Sequence, residues 1–163
     1  MQKLTHIFFD LDETLVHTRL RDEANSFPAP PTTECAEWAT WLRPTARILL
    51  NCARTLGLPV MVCTTAQKAY AMLLSDALNL GFQCNEILAR EHLCQGQRNL
   101  SPNSVLLDDR AADDEAIQLK HRVLGISQHR HFQIPPFTGM EVPDDELWAS
   151  HWQQFLSAFR QRV

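Results

Sequence analysis

The stretch Leu4-Thr5-His6-Ile7-Phe8-Phe9 is largely apolar and ends abruptly at Asp10-Leu11-Asp12. An apolar run closing on such a break reads as a strand buried on both faces, the kind found inside a parallel sheet. Its end delivers two carboxylates to a loop at the C-terminal edge of the sheet, where α/β proteins bind their ligands. Residues at i and i+2 of an extended chain point the same way, so Asp10 and Asp12 can address one ligand.

The pattern then repeats. Pro44 is suited to open a helix, Ala46, Leu49, Leu50, Ala53 and Leu56 follow at helical spacing, and Gly57 is a stop. Val60-Met61-Val62-Cys63 reads as a second strand ending at Thr64-Thr65, and Tyr70, Leu73, Leu74, Ala77 and Leu78 outline a helix closed near Gly81. A third strand, Ser104-Val105-Leu106-Leu107, ends in Asp108-Asp109 and leads to a helix over 111–119, with a fourth strand expected over 123–126. Pro143-Asp144-Asp145-Glu146 is an acidic helix start, and Leu147, Trp148, His151, Trp152, Phe155, Leu156 and Phe159 form its packing stripe. Residues 17–41 are polar and carry Pro28, Pro30 and Pro31, which reads as an irregular flap-like insertion with short strands expected only near 38–42. The alternation predicts one α/β domain over 1–163, a three-layer Rossmann-like parallel sheet with helices on both faces.

Composition narrows the partners. At 163 residues the chain suits one domain, and 15 Lys plus Arg against 19 Asp plus Glu leave a formal charge of −4, without a broad basic field for nucleic acid or anionic lipid. No apolar stretch has the length of a membrane span and the first residues lack a secretion signal, so the cytoplasm is the expected compartment. Cys35, Cys52, Cys63, Cys84 and Cys94 are scattered without a CxxC pair, as suits reduced structural thiols.

Three strand ends thus carry polar groups that can meet: Asp10 and Asp12, then Thr64, then Asp108 and Asp109. Carboxylates gathered at one sheet edge repel unless a hard cation sits among them, and Mg²⁺ favours a few carboxylates with water and phosphate. The plainer alternative, that each Asp caps the next helix or turn, serves for Asp108-Asp109 taken alone. It does not serve for the combination.

Phe8-Phe9-Asp10-Leu11-Asp12-Glu13-Thr14-Leu15-Val16-His17 resembles the first motif of the haloacid dehalogenase (HAD) superfamily, and specifically the subgroup of small C-terminal-domain and NLI-interacting-factor-like phosphatases. Leu42-Arg43-Pro44, Tyr70-Ala71, Leu88-Ala89-Arg90-Glu91, Asn99-Leu100-Ser101, Asp108-Asp109 and Pro136-Phe137-Thr138-Gly139 are similar to later segments of that subgroup. The resemblance implies an HAD-like fold and a Mg²⁺-dependent phosphatase in which Asp10 attacks phosphorus to form an aspartyl-phosphate, with Asp12 as acid and base. It implies phosphate binding by Thr64 with Thr65, and metal binding by Asp10, the backbone of Asp12, and Asp109, with Asp108 as ligand or neighbour. One departure stands out: the subgroup's third-motif Lys is Arg98 here. Of the three lysines, Lys3, Lys68 and Lys120, Lys68 alone lies near a motif. Arg98 is preferred to it as catalytic and phosphate-binding cation because a guanidinium is a fork-shaped phosphate reader.

Neither the interval from Asp12 to Thr64 nor that from Thr64 to Arg98 has room for a cap domain, which predicts an open cleft. An open cleft suits phosphoserine or phosphothreonine on a protein, the substrates of the resembling subgroup, or another large phosphomonoester. A response-regulator receiver has its acids in a different order. Two other readings stay open, a catalytically weak phosphopeptide-binding scaffold, supported by the missing Lys, and a small-metabolite phosphatase.

Overall fold

The computed structural model describes residues 4–24, 27–35, 37–95, 102–139 and 145–160. Strand β1 (Ile7–Phe9) is fully buried and lies at the centre of a five-stranded parallel sheet. On one side it pairs with β5 (Val60–Cys63), which pairs with the short β6 (Ile87–Leu88). On the other it pairs with β7 (Val105–Asp108), followed by β8 (His131–Gln133). In register, Phe9 sits between Val62 and Leu107, so the residues just beyond all three strands emerge together.

Alternation along β1 divides the core. Ile7 and Phe9 face α2 (Ala46–Arg54), α3 (Lys68–Ala77) and α6 (Asp145–Arg160), where Leu49, Leu50, Ala71, Leu74 and Trp152 are buried. Phe8 faces α4 (Arg90–Cys94) and α5 (Glu115–Leu124), against Leu93, Ile117, Val123 and Leu124. The fold is the HAD-like α/β sandwich expected from the sequence. On α6, Trp152 and Leu156 are buried as predicted, whereas Leu147 is exposed.

Two elements differ from expectation. The described residues of the insertion form regular structure: β2 (Val16–Leu20), β3 (Thr33–Cys35) and β4 (Trp38–Leu42) make a three-stranded antiparallel sheet in the order β2-β4-β3, with a short α1 (Arg21–Ala24) after β2. Its polar composition hid it, because Thr18 and Thr40 pair across the sheet through their hydroxyls at 3.1 Å, and Trp41 Nε1 donates to Ala29 O to pin the Pro-rich segment. Residues 123–126 are not a strand. Val123 and Leu124 complete the buried stripe of α5, which ends on Gly125 in the left-handed conformation (φ 68°), and the strand comes later, at His131. Likewise α5 starts at Glu115, where the Asp114 side chain accepts from Ala116 N–H as N-cap.

Candidate active site

The Asp10 backbone N–H donates to Leu107 O, continuing the ladder one residue beyond β1 and fixing the carboxylate at the sheet edge. After it the chain turns sharply. Leu15 and Val16 N–H both return to Leu11 O, Glu13 N–H donates to Val16 O, and Glu13 takes a left-handed φ of 60°. A non-glycine residue held there marks a strained turn kept by its surroundings. Thr14 supplies part of that hold, since its hydroxyl donates to Asp109 Oδ1 at 2.9 Å and accepts from Asp109 N–H at 3.0 Å.

Three of the four expected carboxylates meet, and Asp12 stands outside their cluster. Oxygens of Asp10, Asp108 and Asp109 lie within 4.8 Å of one another. Burial raises Asp10 from 3.8 to about 6, opposed by the Lys120 ammonium and aided by Asp108. Asp12 is likewise raised by burial to about 6, opposed by a hydrogen bond from Tyr70, whose hydroxyl donates to Asp12 Oδ1 at 2.7 Å. Tyr70 therefore occupies one of the two Asp12 oxygens. Asp108 and Asp109 are also raised, in both cases chiefly by burial. Thr64, buried at the end of β5, accepts from Ala66 N–H at 3.1 Å, and its own hydroxyl proton goes to no protein group among the described residues. Thr65 beside it is anchored by its carbonyl, which accepts from Arg90 Nε at 2.7 Å.

Among the described residues the cation at the acidic edge is Lys120, which the sequence reading did not single out. Arg98 lies outside the described residues. Lys68 opens α3 with its backbone N–H donating to Glu91, and its ammonium makes no ion pair among the described residues. Lys120, 1% exposed, places Nζ 2.7 Å from Asp10 Oδ1 and 2.6 Å from Asp108 Oδ2. The two carboxylates hold its ammonium firmly charged despite burial. Sequence reasoning ended the helix at Leu119 and so missed it, yet a signal existed: Lys120 occupies the apolar stripe Ile117, Lys120, Val123, Leu124. A charge at a core position of an amphipathic helix needs a buried partner.

A second polar chain ties the flap to the loop. His17 is fully buried, its Nδ1–H donates to the Glu13 carboxylate at 2.9 Å, and its Nε2 accepts from Arg19 Nε at 3.1 Å. Burial and Arg19 lower its pKa to about 4, so the ring is neutral at physiological pH. A Cβ on Gly139 would come within 2.7 Å of the His17 ring and 3.0 Å of Phe27, and Gly139 has φ +81°. Gly139→Ala is therefore expected to lower stability by about 1–3 kcal/mol, read as a fall in denaturation midpoint at unchanged slope. Behind β7, His121 and His131 pack edge to face at 5.4 Å and are half-buried.

The sequence profile of the NLI interacting factor-like phosphatases matches residues 5–162. The chain belongs to this family. A solved structure of Fcp1, described as an essential RNA polymerase II CTD phosphatase, superposes with a TM-score of 0.53 at 16% identity, over 98% of this chain and 50% of that one. A substituted fission yeast Fcp1 bound to beryllium fluoride gives 0.49 at 14% identity, over 98% and 51%. This chain thus spans about half the length of these solved relatives. No curated protein matches it in sequence. No helix among the described residues is long and apolar enough to cross a membrane.

Proposed function

We propose that the chain hydrolyses phosphomonoesters through an aspartyl-phosphate on Asp10, with Mg²⁺ bound beside it, acting on phosphoserine or phosphothreonine presented by a protein. The observation that carries the reading is the convergence of Asp10, Asp108 and Asp109 within 4.8 Å at the edge of a parallel sheet. Four acids, counting Asp12, against the Lys120 ammonium and the half-exposed Arg110 guanidinium are still a surplus of negative charge into which a dianionic phosphate could not come unaided. An all-oxygen donor set of this kind fits Mg²⁺. Asp10 and Asp109 would hold it by their carboxylates and Asp12 by its carbonyl. Bound there, the ion offsets charge on the phosphoryl group.

In this reading an Asp10 oxygen attacks phosphorus as the ester oxygen leaves, and Asp12 gives that oxygen a proton. Asp12 then takes a proton from the water that attacks the aspartyl-phosphate, which returns Asp10 and releases phosphate. Thr64 donates to a phosphoryl oxygen. No cap covers the sheet edge among the described residues, and the flap sheet borders it, which favours a substrate carried on a large molecule.

The test is release of phosphate from phosphoserine and phosphothreonine peptides and from small phosphometabolites, with Mg²⁺ or with chelator. Peptides should exceed metabolites in kcat/KM by about tenfold or more, and chelator should stop both. Full activity in chelator, or preference for a metabolite, would count against the respective part of the proposal. A calorimetric prediction accompanies it. Millimolar Mg²⁺ should raise Tm at neutral pH, and the rise should shrink as pH falls below about 6, where Asp10 and Asp12 take up protons that compete with the ion.

A further inference from the structure

We propose that Lys120 is a catalytic residue: its ammonium, carried on α5 after the last acidic strand end, neutralises Asp10 and grips the phosphoryl group, and Asp108 serves as its tether. The inference rests on the phosphatase reading above and deepens it. Three observations carry it. Lys120 Nζ is in ion-pair contact with the nucleophile itself, at 2.7 Å from Asp10 Oδ1. The second contact, at 2.6 Å, is to Asp108 Oδ2, while Asp108 Oδ1 accepts from Arg110 N–H, so both Asp108 oxygens are engaged within the protein. Asp108 thus aims the ammonium, and Asp109 is left as the better metal ligand of the pair.

The third observation is stoichiometric. An ammonium has three N–H donors, and two face carboxylates, which leaves one for an oxygen arriving beside Asp10. When Asp10 attacks, its carboxylate charge is lost to the new P–O bond while charge builds on the phosphoryl oxygens. An ammonium already at Asp10 tracks that movement without reorganising, which is the condition for electrostatic stabilisation of a transition state. A Lys buried only for structure is costly unless its geometry is good, and this one is 1% exposed with both partners at the reactive edge. The family's third-motif cation is then supplied from the opposite side of β7 in the chain, and Arg98 and Lys68 are spare for that role.

Because the chain contains only three lysines, the unaltered protein can be tested directly. With ¹⁵N-lysine labelling, Lys120 should give the one slowly exchanging ammonium signal, and adding Mg²⁺ with beryllium fluoride, a mimic of phosphoryl on a carboxylate, should move it. An unmoved signal while beryllium fluoride raises Tm overturns the inference and leaves the phosphatase reading standing. Absence of both phosphate release and a Tm rise in the unaltered protein refutes the phosphatase reading instead.

Variants give the kinetic arm. Lys120→Met should lower kcat by at least about 100-fold, the cost of one preorganised donor, and abolish the beryllium fluoride Tm rise, while Lys120→Arg should restore part of both. Lys120→Met with Asp108→Leu removes the surplus buried charge and should recover the fold without recovering turnover or the Tm rise. Recovery of turnover in that double variant, or a larger loss in Arg98→Ala than in Lys120→Met, would mean that Lys120 has only a structural role.

Discussion

Asp10→Asn should lower kcat at least about 10³-fold, because the amide cannot form the covalent intermediate and nothing else at the edge replaces the nucleophile. The same variant should be more stable than the parent at neutral pH without metal. Burial lifts the folded-state pKa of Asp10 from 3.8 to about 6, so the folded protein holds a proton the unfolded chain has released. The stability this contributes is complete below the unfolded value and is lost as pH rises through about 6, whereas asparagine has nothing to lose. The Tm gap between variant and parent should therefore widen from about pH 4 to pH 6 and then level off. Mg²⁺ should narrow it from the parent's side, by stabilising the ionised carboxylate. A variant that is inactive and less stable at every pH would show instead that Asp10 is a packing residue. A catalytic site that trades stability for function behaves in the first way.

Much of this site was open to reading because its carriers are local. A strand buried on both faces declares itself by an unbroken apolar run, and the residues just past its end must emerge at a sheet edge; that logic located Asp10, Asp12, Thr64, Asp108 and Asp109. Lys120 was not local in this sense. Its partner Asp10 is far away in sequence, and its meaning depends on which face of α5 meets the sheet, a matter of one or two residues in helix phase. Ending the helix at Leu119 instead of Leu124 turned a buried position into an unremarked one. The flap sheet was obscured for another reason. Its strands pair through the backbone, Val16 with Leu42 through Leu20 with Trp38, and the side chains they bury include His17 and Thr40, polar residues that a hydrophobic pattern does not register. Thr14 and Tyr70 stand in motif-like segments, but their work, a hydroxyl clasp on Asp109 and a hydrogen bond to Asp12, appears only once three strand ends are side by side.

Arg43→Met should lower stability by about 3–5 kcal/mol, the cost of leaving one partner of a buried ion pair alone. Arg43 is fully buried where the flap rejoins the domain. Its Nε donates to Asp145 Oδ1 at 2.7 Å, and its Nη1 donates to Thr14 O and Pro135 O at 3.1 Å each. Asp145 in turn accepts from the Thr45 hydroxyl at 2.6 Å and stands at the first turn of α6, where a carboxylate also meets the positive end of the helix dipole. One guanidinium thus fastens α6, the chain after β8 and the turn that carries Asp12. Methionine fills much of the same space, so a cavity is not the cause of the loss. Replacing Asp145 as well, in Arg43→Met with Asp145→Leu, should recover much of the stability by removing the orphaned charge. Turnover should not recover with it, because Thr14 O still lacks its donor and the Glu13 turn, held at a φ of 60°, is free to relax away from Asp109. Denaturation midpoints and kcat measured on the two variants separate these effects, and a double variant that regains full turnover would show that Arg43 holds the helix alone and has no hold on the catalytic turn.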